Sequence, residues 1–291
     1  MKFGIYSNRN KDQGLLETKK LISAVISAGC EVFVHSDIAN EFPDLANMDV
    51  SNLSRCVDIM ITMGGDGTIL RVAPACAVSG TPILGVNLGT LGFLAESEPN
   101  EYDALIQKLV DGSYSVEKRA MLKSTTDKNT YYSLNEIMVG RARTLKMVPT
   151  DVYIDDNFYY RYYADGVMVA TPTGSTGYSL SAGGPVLSPT LKGFVINGVC
   201  PHSLQDKPVV IGHEQTVTLK TNEPHRAVLA SDGNFVEELM PGASVKVEKA
   251  EYEVGFIRFE HPNFYERLIN KLNHWSNFSG GKNNDQSTTS F

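Results

Sequence analysis

The chain has 291 residues, enough for two domains with separate cores, and its 42% hydrophobic and 20% charged residues are typical of a globular protein. The formal net charge of −7 gives no general attraction to nucleic acid or anionic membrane, so we expect neither partner and any phosphate site must be local. No apolar run approaches the roughly 18 residues needed to cross a bilayer. The N-terminus lacks a signal-peptide pattern, and we therefore expect a cytoplasmic protein.

The first third of the chain alternates between strand and helix patterns. We predict strands around Phe3 and Ile5 and at 30–35, 57–63 and 82–86, and helices at 15–26, 68–78 and 99–110. Gly29 and Gly112 are suited to end two of these helices, whereas segment 40–55 gives no clear pattern. This alternation predicts a parallel sheet covered on both faces, with ligands bound beyond the carboxyl ends of the strands.

One glycine-rich stretch, Gly64-Gly65-Asp66-Gly67-Thr68, follows the strand at 57–63 and precedes a helix. Glycines permit positive φ and close ligand approach, and a helix N-terminus offers N–H groups to a phosphate. A carboxylate among them indicates a hydroxyl-bearing substrate or a metal beside a polyphosphate. An ordinary turn with a solvated Asp66 is an equally good interpretation of this motif alone. A second glycine-punctuated loop, 87–94, follows the next strand.

The pattern changes near Ser113 to short segments rich in Val, Ile, Tyr and Thr, which predicts a mostly-β domain. The stretch 151–160 is typical of a hairpin, and further strands are predicted at 216–221, 227–231, 245–249 and 253–259. Helical spacing returns over 262–275, and the polar tail from Ser279 is predicted to be disordered.

Two features of the β region indicate chemistry. The run 171–185 is rich in glycine and hydroxyl residues between Pro172 and Pro185, and it favours a ligand-binding loop over a flexible one, with hydroxyls offering neutral hydrogen bonds. Asn135 and Glu136 stand side by side in an apolar run, so either one faces inward and needs a partner or the segment is a surface strand.

The four cysteines are widely spaced, lie in apolar stretches and form no C-x-x-C pair. They are Cys30, Cys56, Cys76 and Cys200. We predict buried free thiols rather than disulfides or a zinc site.

Taken in order, the glycine-rich motif, Asn135-Glu136, Asp165-Gly166 and the run 173–181 resemble the NAD kinase family from Lys2 to about Trp275. The first motif is shared with lipid kinases, whereas the hydroxyl-rich run is far more specific. The resemblance implies an α/β N-terminal domain with a Rossmann-like, phosphofructokinase-like parallel sheet, then a mostly-β sandwich domain, with a C-terminal helix returning to the first domain. We expect residues 1–113 plus 262–278 to form the ATP/phosphate domain, 114–261 the NAD-binding domain and 279–291 the tail.

The resemblance implies transfer of the γ-phosphate of ATP to the 2′-hydroxyl of the adenosine ribose of NAD, giving NADP. A divalent metal, Mg²⁺ or Mn²⁺, accompanies ATP, polyphosphate is an alternative donor, and active forms are homodimers or homotetramers; no protein metal ligand is singled out. Asp66 is implied as the proton acceptor. The implied nucleotide-binding residues are Gly64, Gly65, Gly67, Thr68, Arg71, Asn135, Glu136, Lys146, Asp165, Thr176, Gly177, Tyr178, Ser179, Ser181 and Asn234.

Some positions depart from the family pattern. Gly177 stands where Ala is usual, Lys146 where His often occurs, and Asn234 where Gln is usual. Tyr163 occupies a place where a basic residue is frequent, and Arg161 is a candidate substitute. Two other functions remain open: a lipid kinase (diacylglycerol or sphingosine type) sharing the glycine-rich motif, and a non-catalytic NADP-sensing module.

Overall fold

The computed structural model describes residues 1–89, 92–96, 101–142, 147–203, 206–222, 224, 226–259 and 264–279, with side chains of the last segment described to residue 273. Residues 280–291 of the predicted tail and Lys146 lie outside these residues, whereas Ser279 ends the last helix. Within them, no helix is long and apolar enough to cross a membrane.

The first third of the chain forms the predicted parallel sheet, whose strands follow the order β5-β4-β1-β2-β3. The strands are β1 (Lys2–Ser7), β2 (Glu31–His35), β3 (Ala46–Met48), β4 (Ile59–Gly64) and β5 (Ile83–Asn87). The helices are α1 (Leu16–Ser27), α2 (Val50–Cys56), α3 (Asp66–Ser79) and α4 (Tyr102–Val110). The unassigned segment 40–55 thus contains β3 and the start of α2.

Helices cover both faces of this sheet, as predicted. Leu21 of α1 and Ile106 of α4 are buried in one core, while Leu53 of α2 and Val72 of α3 are buried in the other. Because β4 and β5 are buried on both faces, they consist of continuous apolar runs that end in the two glycine-rich loops. Strand packing therefore brings both loops to the same edge of the sheet.

The remainder of the chain forms an antiparallel sandwich. Its strands are β6 (Ser115–Thr125), β7 (Thr130–Ser133), β8 (Glu136–Arg141), β9 (Val148–Ile154), β10 (Asn157–Ala164), β11 (Gly166–Ala170), β12 (Gly193–Val199), β13 (Val209–Gly212), β14 (Val217–Thr221), β15 (Ala227–Ser231), β16 (Asn234–Leu239) and β17 (Ser244–Arg258). A short helix, α5 (Tyr178–Ser181), lies within the hydroxyl-rich run. The predicted hairpin is confirmed as β9–β10, which turns at Asp155 and Asp156, both with positive φ.

One long strand joins the two halves of the molecule. The separate strands predicted at 245–249 and 253–259 are wrong, since β17 is continuous and only its pairing with β6 is irregular between Lys249 and Glu253. Near its end β17 also pairs with β5, where Phe256 lies opposite Ile83. The parallel sheet therefore continues into one sheet of the sandwich, which fixes the relative position of the two halves.

The C-terminal helix α6 (Phe264–Ser279) returns to the α/β domain, as the resemblance implied. The Arg267 guanidinium contacts the Glu96 carboxylate at 2.9 Å and donates to the Ala95 carbonyl at 3.2 Å. Phe264 packs near Phe93. The helix is thus anchored on the loop after β5.

The cysteines are free, as predicted, but only Cys76 is buried. Cys30 is partly buried, and Cys56 and Cys200 are exposed. The expectation of four buried thiols is wrong. Cys56 is the last residue of α2 and Cys200 directly follows β12, and the ends of these elements lie outside the core although their sequence neighbours are apolar.

Candidate functional site

Steric contacts and open space, rather than backbone strain, explain the glycines in the turn between β4 and α3. None of Gly64, Gly65 and Gly67 uses the positive φ that glycine permits, and the helix begins at Asp66 rather than at the predicted Thr68. A Cβ on Gly64 would lie 2.2 Å from Thr68 Oγ1, whereas a Cβ on Gly67 would meet nothing within 4 Å. Gly64 is required by the fold, while Gly67 leaves the helix N-terminus open to a ligand.

The Asp66 carboxylate is held by the second glycine-rich loop. Its Oδ2 accepts the Phe93 N–H at 2.8 Å and its Oδ1 accepts the Leu94 N–H at 3.2 Å. A Cβ on Gly92 would lie 1.8 Å from Asp66 Oδ1, so glycine is needed there to admit the carboxylate. Lys271 of α6 places its Nζ 3.9 Å from Oδ2. Since a carboxylate can accept about four hydrogen bonds, Asp66 is oriented but retains acceptor capacity.

A chain of charged groups, the two arginines buried and Glu117 between them partly buried, connects this loop to the hydroxyl-rich run. Arg258, only 2% exposed, donates to the Leu94 carbonyl at 2.9 Å and pairs with Glu117 at 2.8 Å. Glu117 pairs in turn with Arg119 at 2.7 Å, and Arg119 donates to Thr173 Oγ1 at 3.3 Å. Burial lowers the pKa of Arg119, and the Glu117 charge opposes that shift. These contacts tie the Asp66 region to the first residues of the run 173–181.

Two hydroxyls of that run donate hydrogen bonds to backbone carbonyls of the run itself. Ser175 Oγ donates to the Pro172 carbonyl at 2.6 Å, and Thr176 Oγ1 donates to the Thr173 carbonyl at 3.1 Å. Both hydroxyls therefore use their hydrogens within the loop and could meet a ligand only as acceptors, and the predicted nucleotide contact of Thr176 stays a prediction. They make the loop a rigid cradle instead of a flexible connection.

The cradle packs directly on the Asn135–Glu136 segment. A Cβ on Gly174 would lie 2.1 Å from the Asn135 carbonyl oxygen, and a Cβ on Gly177 would lie 3.5 Å from Asn135 Nδ2 and 4.0 Å from Glu136 Oε2. Ser179, two residues after Gly177, is buried, and its Oγ has no hydrogen-bond partner among the described residues. The structure thus brings Asn135, Glu136, Gly174 and Gly177 together.

Glu136 is the inward-facing member of the pair, so the alternative of a surface strand is wrong. The side chain is 4% exposed, and its Oε2 has no hydrogen-bond partner in the described part of the chain. Burial, followed by the nearby Asp232 carboxylate, raises the pKa of Glu136 to about 7. A buried carboxylate oxygen without a partner is costly unless a ligand satisfies it.

Asp232, which sequence reasoning passed over, organises this segment. Its carboxylate accepts the backbone N–H groups of Leu134, Asn135 and Glu136 at 2.9, 2.7 and 3.2 Å. Burial raises the pKa of Asp232 to about 6 although these donors act in the opposite direction. The signal available in the sequence was the Asp232-Gly233 turn, in which both residues have positive φ. Asn234 is exposed and donates to the Asp232 carbonyl at 3.1 Å.

Asp165 lies near Tyr178 at the mouth of the cradle. Asp165 pairs with Arg141 at 3.2 Å, a partner that sequence reasoning missed. Partial burial, then the Cys200, Asp165 and Glu136 charges, raises the pKa of Tyr178, whose side chain is 45% exposed. The charges of Asp165, in the bend between β10 and β11, and of Glu136 on β8 thus both act on the Tyr178 phenol.

Other predicted positions lie apart from this cluster. Arg71 lines a groove with Arg55 and Tyr132 between α2, α3 and β7. Arg161 is no free substitute for a basic residue at Tyr163, because its guanidinium makes a two-point contact with Asp151 at 2.5 and 2.8 Å. Ser181 is exposed at the end of α5.

Solved structures share the whole architecture. The structure described as yeast NADH kinase complexed with NADH matches 98% of this chain and 90% of its own, with a TM-score of 0.86 and 25% identity. The structure described as an NAD kinase from Archaeoglobus fulgidus in complex with ATP matches 94% of this chain and 99% of its own, with a TM-score of 0.75 and 27% identity. Fold and site together define a two-domain nucleotide kinase.

Sequence comparisons specify the family. The profile described as ATP-NAD kinase N-terminal domain matches residues 3–114, and that described as ATP-NAD kinase C-terminal domain matches residues 134–259. NAD kinase from Thermoanaerobacter sp. (strain X514) is 35% identical over 93% of this chain and 98% of its own length. NAD kinase from Chloroherpeton thalassium is 35% identical over 94% and 98%. The chain belongs to the ATP-NAD kinase family.

Proposed function

We propose that the protein transfers the γ-phosphate of ATP to the 2′-hydroxyl of the adenosine ribose of NAD, giving NADP. The observation that carries this proposal is the Asp66 carboxylate, oriented by two backbone N–H groups at an open helix N-terminus and connected through buried ion pairs to the Glu136 cradle. Relatives that span nearly the whole chain are named NAD kinase. The lipid-kinase alternative leaves the match to the C-terminal family profile unexplained.

On the donor side, we assign the phosphates to the N-terminus of α3. The first N–H groups of a helix have no intrahelical partner, and the open space beside Gly67 lets phosphate oxygens approach them. Phosphoryl transfer through a loose transition state depends mainly on position and charge neutralisation. In this scheme Asp66 uses its remaining acceptor capacity to orient the ribose hydroxyl and to take its proton late in the transfer.

On the NAD side, we assign the adenosine half to Asn135 and Glu136 and the nicotinamide half to Asp165. The partnerless Oε2 of Glu136 is suited to accept a hydrogen bond from adenine or ribose. Tyr178 is exposed over the same cradle and offers a ring face for stacking.

We propose that a divalent metal, Mg²⁺ or Mn²⁺, arrives with ATP. Among the described residues no cluster of three or more His, Cys, Asp or Glu side chains could hold a metal ion by itself. The chain does offer two oxygen donors near the helix N-terminus, Asp66 and the buried, partnerless Oδ1 of Asn87, and oxygen donors fit either ion. The ion neutralises charge on the phosphates when it is bound.

We further propose that residues 1–113 with α6 bind the donor, that 114–261 bind NAD, and that the protein works as a homodimer or homotetramer. Strand β10 forms one edge of its sheet and exposes Phe158, Tyr159, Tyr160 and Tyr163. An exposed apolar edge strand is suited to pairing with another copy. Light scattering on the purified protein tests the assembly, and a monomer at working concentration would contradict it.

The function is tested by incubating purified protein with NAD, Mg²⁺ and either ATP or polyphosphate, with NADP detected by an NADP-specific dehydrogenase. We expect NADP to form with at least one donor. If NADP binds to the protein but none is formed with either donor, the chain is a nucleotide sensor and the kinase proposal fails.

A further inference from the structure

A lysine from the loop after β1 lies over both glycine-rich loops. Lys11 Nζ would be 3.0 Å from a Cβ placed on Gly65 and 3.7 Å from one placed on Gly89. Gly65 directly precedes α3, and Gly89 follows β5. The ammonium group therefore stands where the carboxyl ends of β1, β4 and β5 converge, in tight contact with the Gly65 position and in van der Waals reach of the Gly89 position.

The backbone of the loop holds this lysine in place. The Lys11 N–H donates to the Asn8 carbonyl at 2.9 Å, and the Asn8 N–H donates to the Met63 carbonyl of β4 at 2.9 Å. The Asn8 side chain also donates to Thr68 Oγ1 of α3 at 3.4 Å. The loop is thus tied to the strand and the helix that flank the glycine-rich turn.

The charge of Lys11 is available to a ligand. The side chain is exposed, and in the described part of the chain it forms no ion pair. Its neighbour Asp12 is buried and points elsewhere, since its carboxylate accepts the N–H groups of Glu17 and Thr18 at the start of α1. No carboxylate adjacent in sequence therefore neutralises the ammonium.

A second polar group faces the same space. Asn87 is 2% exposed, its amide donates to the Gly89 carbonyl at 2.7 Å, and its Oδ1 has no hydrogen-bond partner among the described residues. That oxygen would lie 4.0 Å from a Cβ on Gly65, on the side where Lys11 approaches. A buried acceptor without a partner beside an uncompensated cation marks a binding space rather than packed surface.

We propose that Lys11 binds the polyphosphate of the donor nucleotide, a role that rests on the kinase function proposed above. An ammonium group is a point charge that can follow a phosphate chain on a flexible stem, and charge-assisted hydrogen bonds to phosphate are strong. The position over Gly65 lets Lys11 contact phosphate oxygens that also receive the N–H groups at the start of α3. Lys11 and the helix N-terminus then hold the donor from opposite sides.

The test compares Lys11→Met, which keeps the aliphatic stem, with Lys11→Arg, which keeps the charge. Lys19→Met is the matched control, since Lys19 is exposed on α1 and its loss changes the net charge equally. KM is measured for ATP and for NAD, and the Kd of ATP is measured by calorimetry without NAD, so that the binding result does not depend on turnover. Thermal melting verifies that each variant is folded.

For Lys11→Met we expect the KM and Kd for ATP to rise about 10- to 100-fold, as befits loss of one hydrogen bond to a charged group. The KM for NAD should stay within about twofold, and Lys11→Arg should restore most of the ATP affinity. An unchanged Kd for ATP, an equal rise in KM for NAD, or an equal effect of Lys19→Met overturns the inference. Absence of turnover in the unmodified protein, with the ATP effect intact, overturns the kinase proposal but not the role of Lys11.

Discussion

Asp66 and Glu136 are both carboxylates at the candidate site, yet their surroundings differ sharply. Asp66 is 27% exposed, and each of its oxygens accepts a backbone N–H, with Lys271 3.9 Å away. Glu136 is 4% exposed, its Oε2 has no partner in the described part of the chain, and burial raises its pKa to about 7. Both oxygens of the Asp66 carboxylate are thus oriented by protein donors, whereas one oxygen of Glu136 has none.

This difference indicates that the two carboxylates have different roles. A group that must act in a transition state benefits from being oriented before substrate arrives, because orientation then costs nothing during the reaction. A group that recognises substrate gains most when its hydrogen bonds are made only with the ligand. We infer that Asp66 serves phosphoryl transfer and that Glu136 serves NAD binding.

The largest effect is expected from Asp66→Asn. The amide keeps the size of the side chain but removes the proton acceptor, and loss of a general base typically lowers the rate about 10²- to 10⁴-fold. We expect kcat to fall within that range under saturating substrates. Asp58→Asn is the matched control, since Asp58 accepts the Lys2 N–H at the opposite end of β4. Turnover retained in Asp66→Asn would contradict the assignment of Asp66 as the general base.

The next effect in size is expected from Glu136→Gln. An amide cannot replace a charged acceptor fully, and a hydrogen bond to a charged group contributes about 1.5–3 kcal/mol. We expect KM for NAD to rise about tenfold or more, while KM for ATP changes little. Glu238→Gln, at an exposed ion pair with Arg226, serves as control. Equal changes for both substrates would point to a structural role for Glu136.

A smaller effect is expected from alanine at Gly67 and at Gly64, and the two substitutions should act differently. In Gly67→Ala the new Cβ meets open space, so we expect unchanged or slightly higher melting temperature, since alanine favours a helix by about 0.5–1 kcal/mol. KM for ATP should nevertheless rise several-fold because the methyl group occupies the approach to the helix N-terminus. Gly64→Ala should instead lower the melting temperature, because its Cβ would collide with Thr68. Identical behaviour of the two variants would contradict this distinction.

A separate effect, on stability rather than on kinetics, concerns pH in the ligand-free protein. The pKa of Glu136 is raised from 4.5 to about 7 on folding, so the folded state binds the proton more tightly. Stability from this group is full below about pH 4.5 and is lost as pH rises through about 7. Glutamine does not ionise, so Glu136→Gln does not lose this stability at high pH, and the difference is at most about 3 kcal/mol. We expect the variant to melt a few degrees higher than the unmodified protein at pH 8 and nearly equally at pH 5; equal melting at both would refute the burial cost.

Much of the fold could be predicted because hydrophobic patterning dominates it. The apolar runs of β4 and β5 and the helical spacing of α1 and α3 identify the α/β domain locally. The continuity of β17 could not be predicted, since polar residues around Glu251 interrupt the apolar pattern at an irregularity of pairing. The extra residues lie in β17, which advances from Lys249 to Glu253 while β6 moves only from Leu122 to Ala120, and this mismatch is visible only once the two strands are paired.

The candidate site was predictable where it lies in a local motif and not where it depends on distant contacts. Asp66 and Glu136 were identified from their sequence surroundings. Lys271 reaches Asp66 from a helix about two hundred residues further along the chain, and no local pattern encodes that contact. The same holds for Lys11 over Gly65 and for Asp232 beneath Glu136.

The most direct test of the division between the two carboxylates is calorimetric titration of NAD into Asp66→Asn and Glu136→Gln without a phosphate donor. We predict that Asp66→Asn binds NAD within about twofold of the unmodified protein, because the oriented carboxylate acts mainly during transfer. Glu136→Gln should bind NAD about tenfold or more weakly. Lost NAD binding in Asp66→Asn together with unchanged binding in Glu136→Gln would contradict the account.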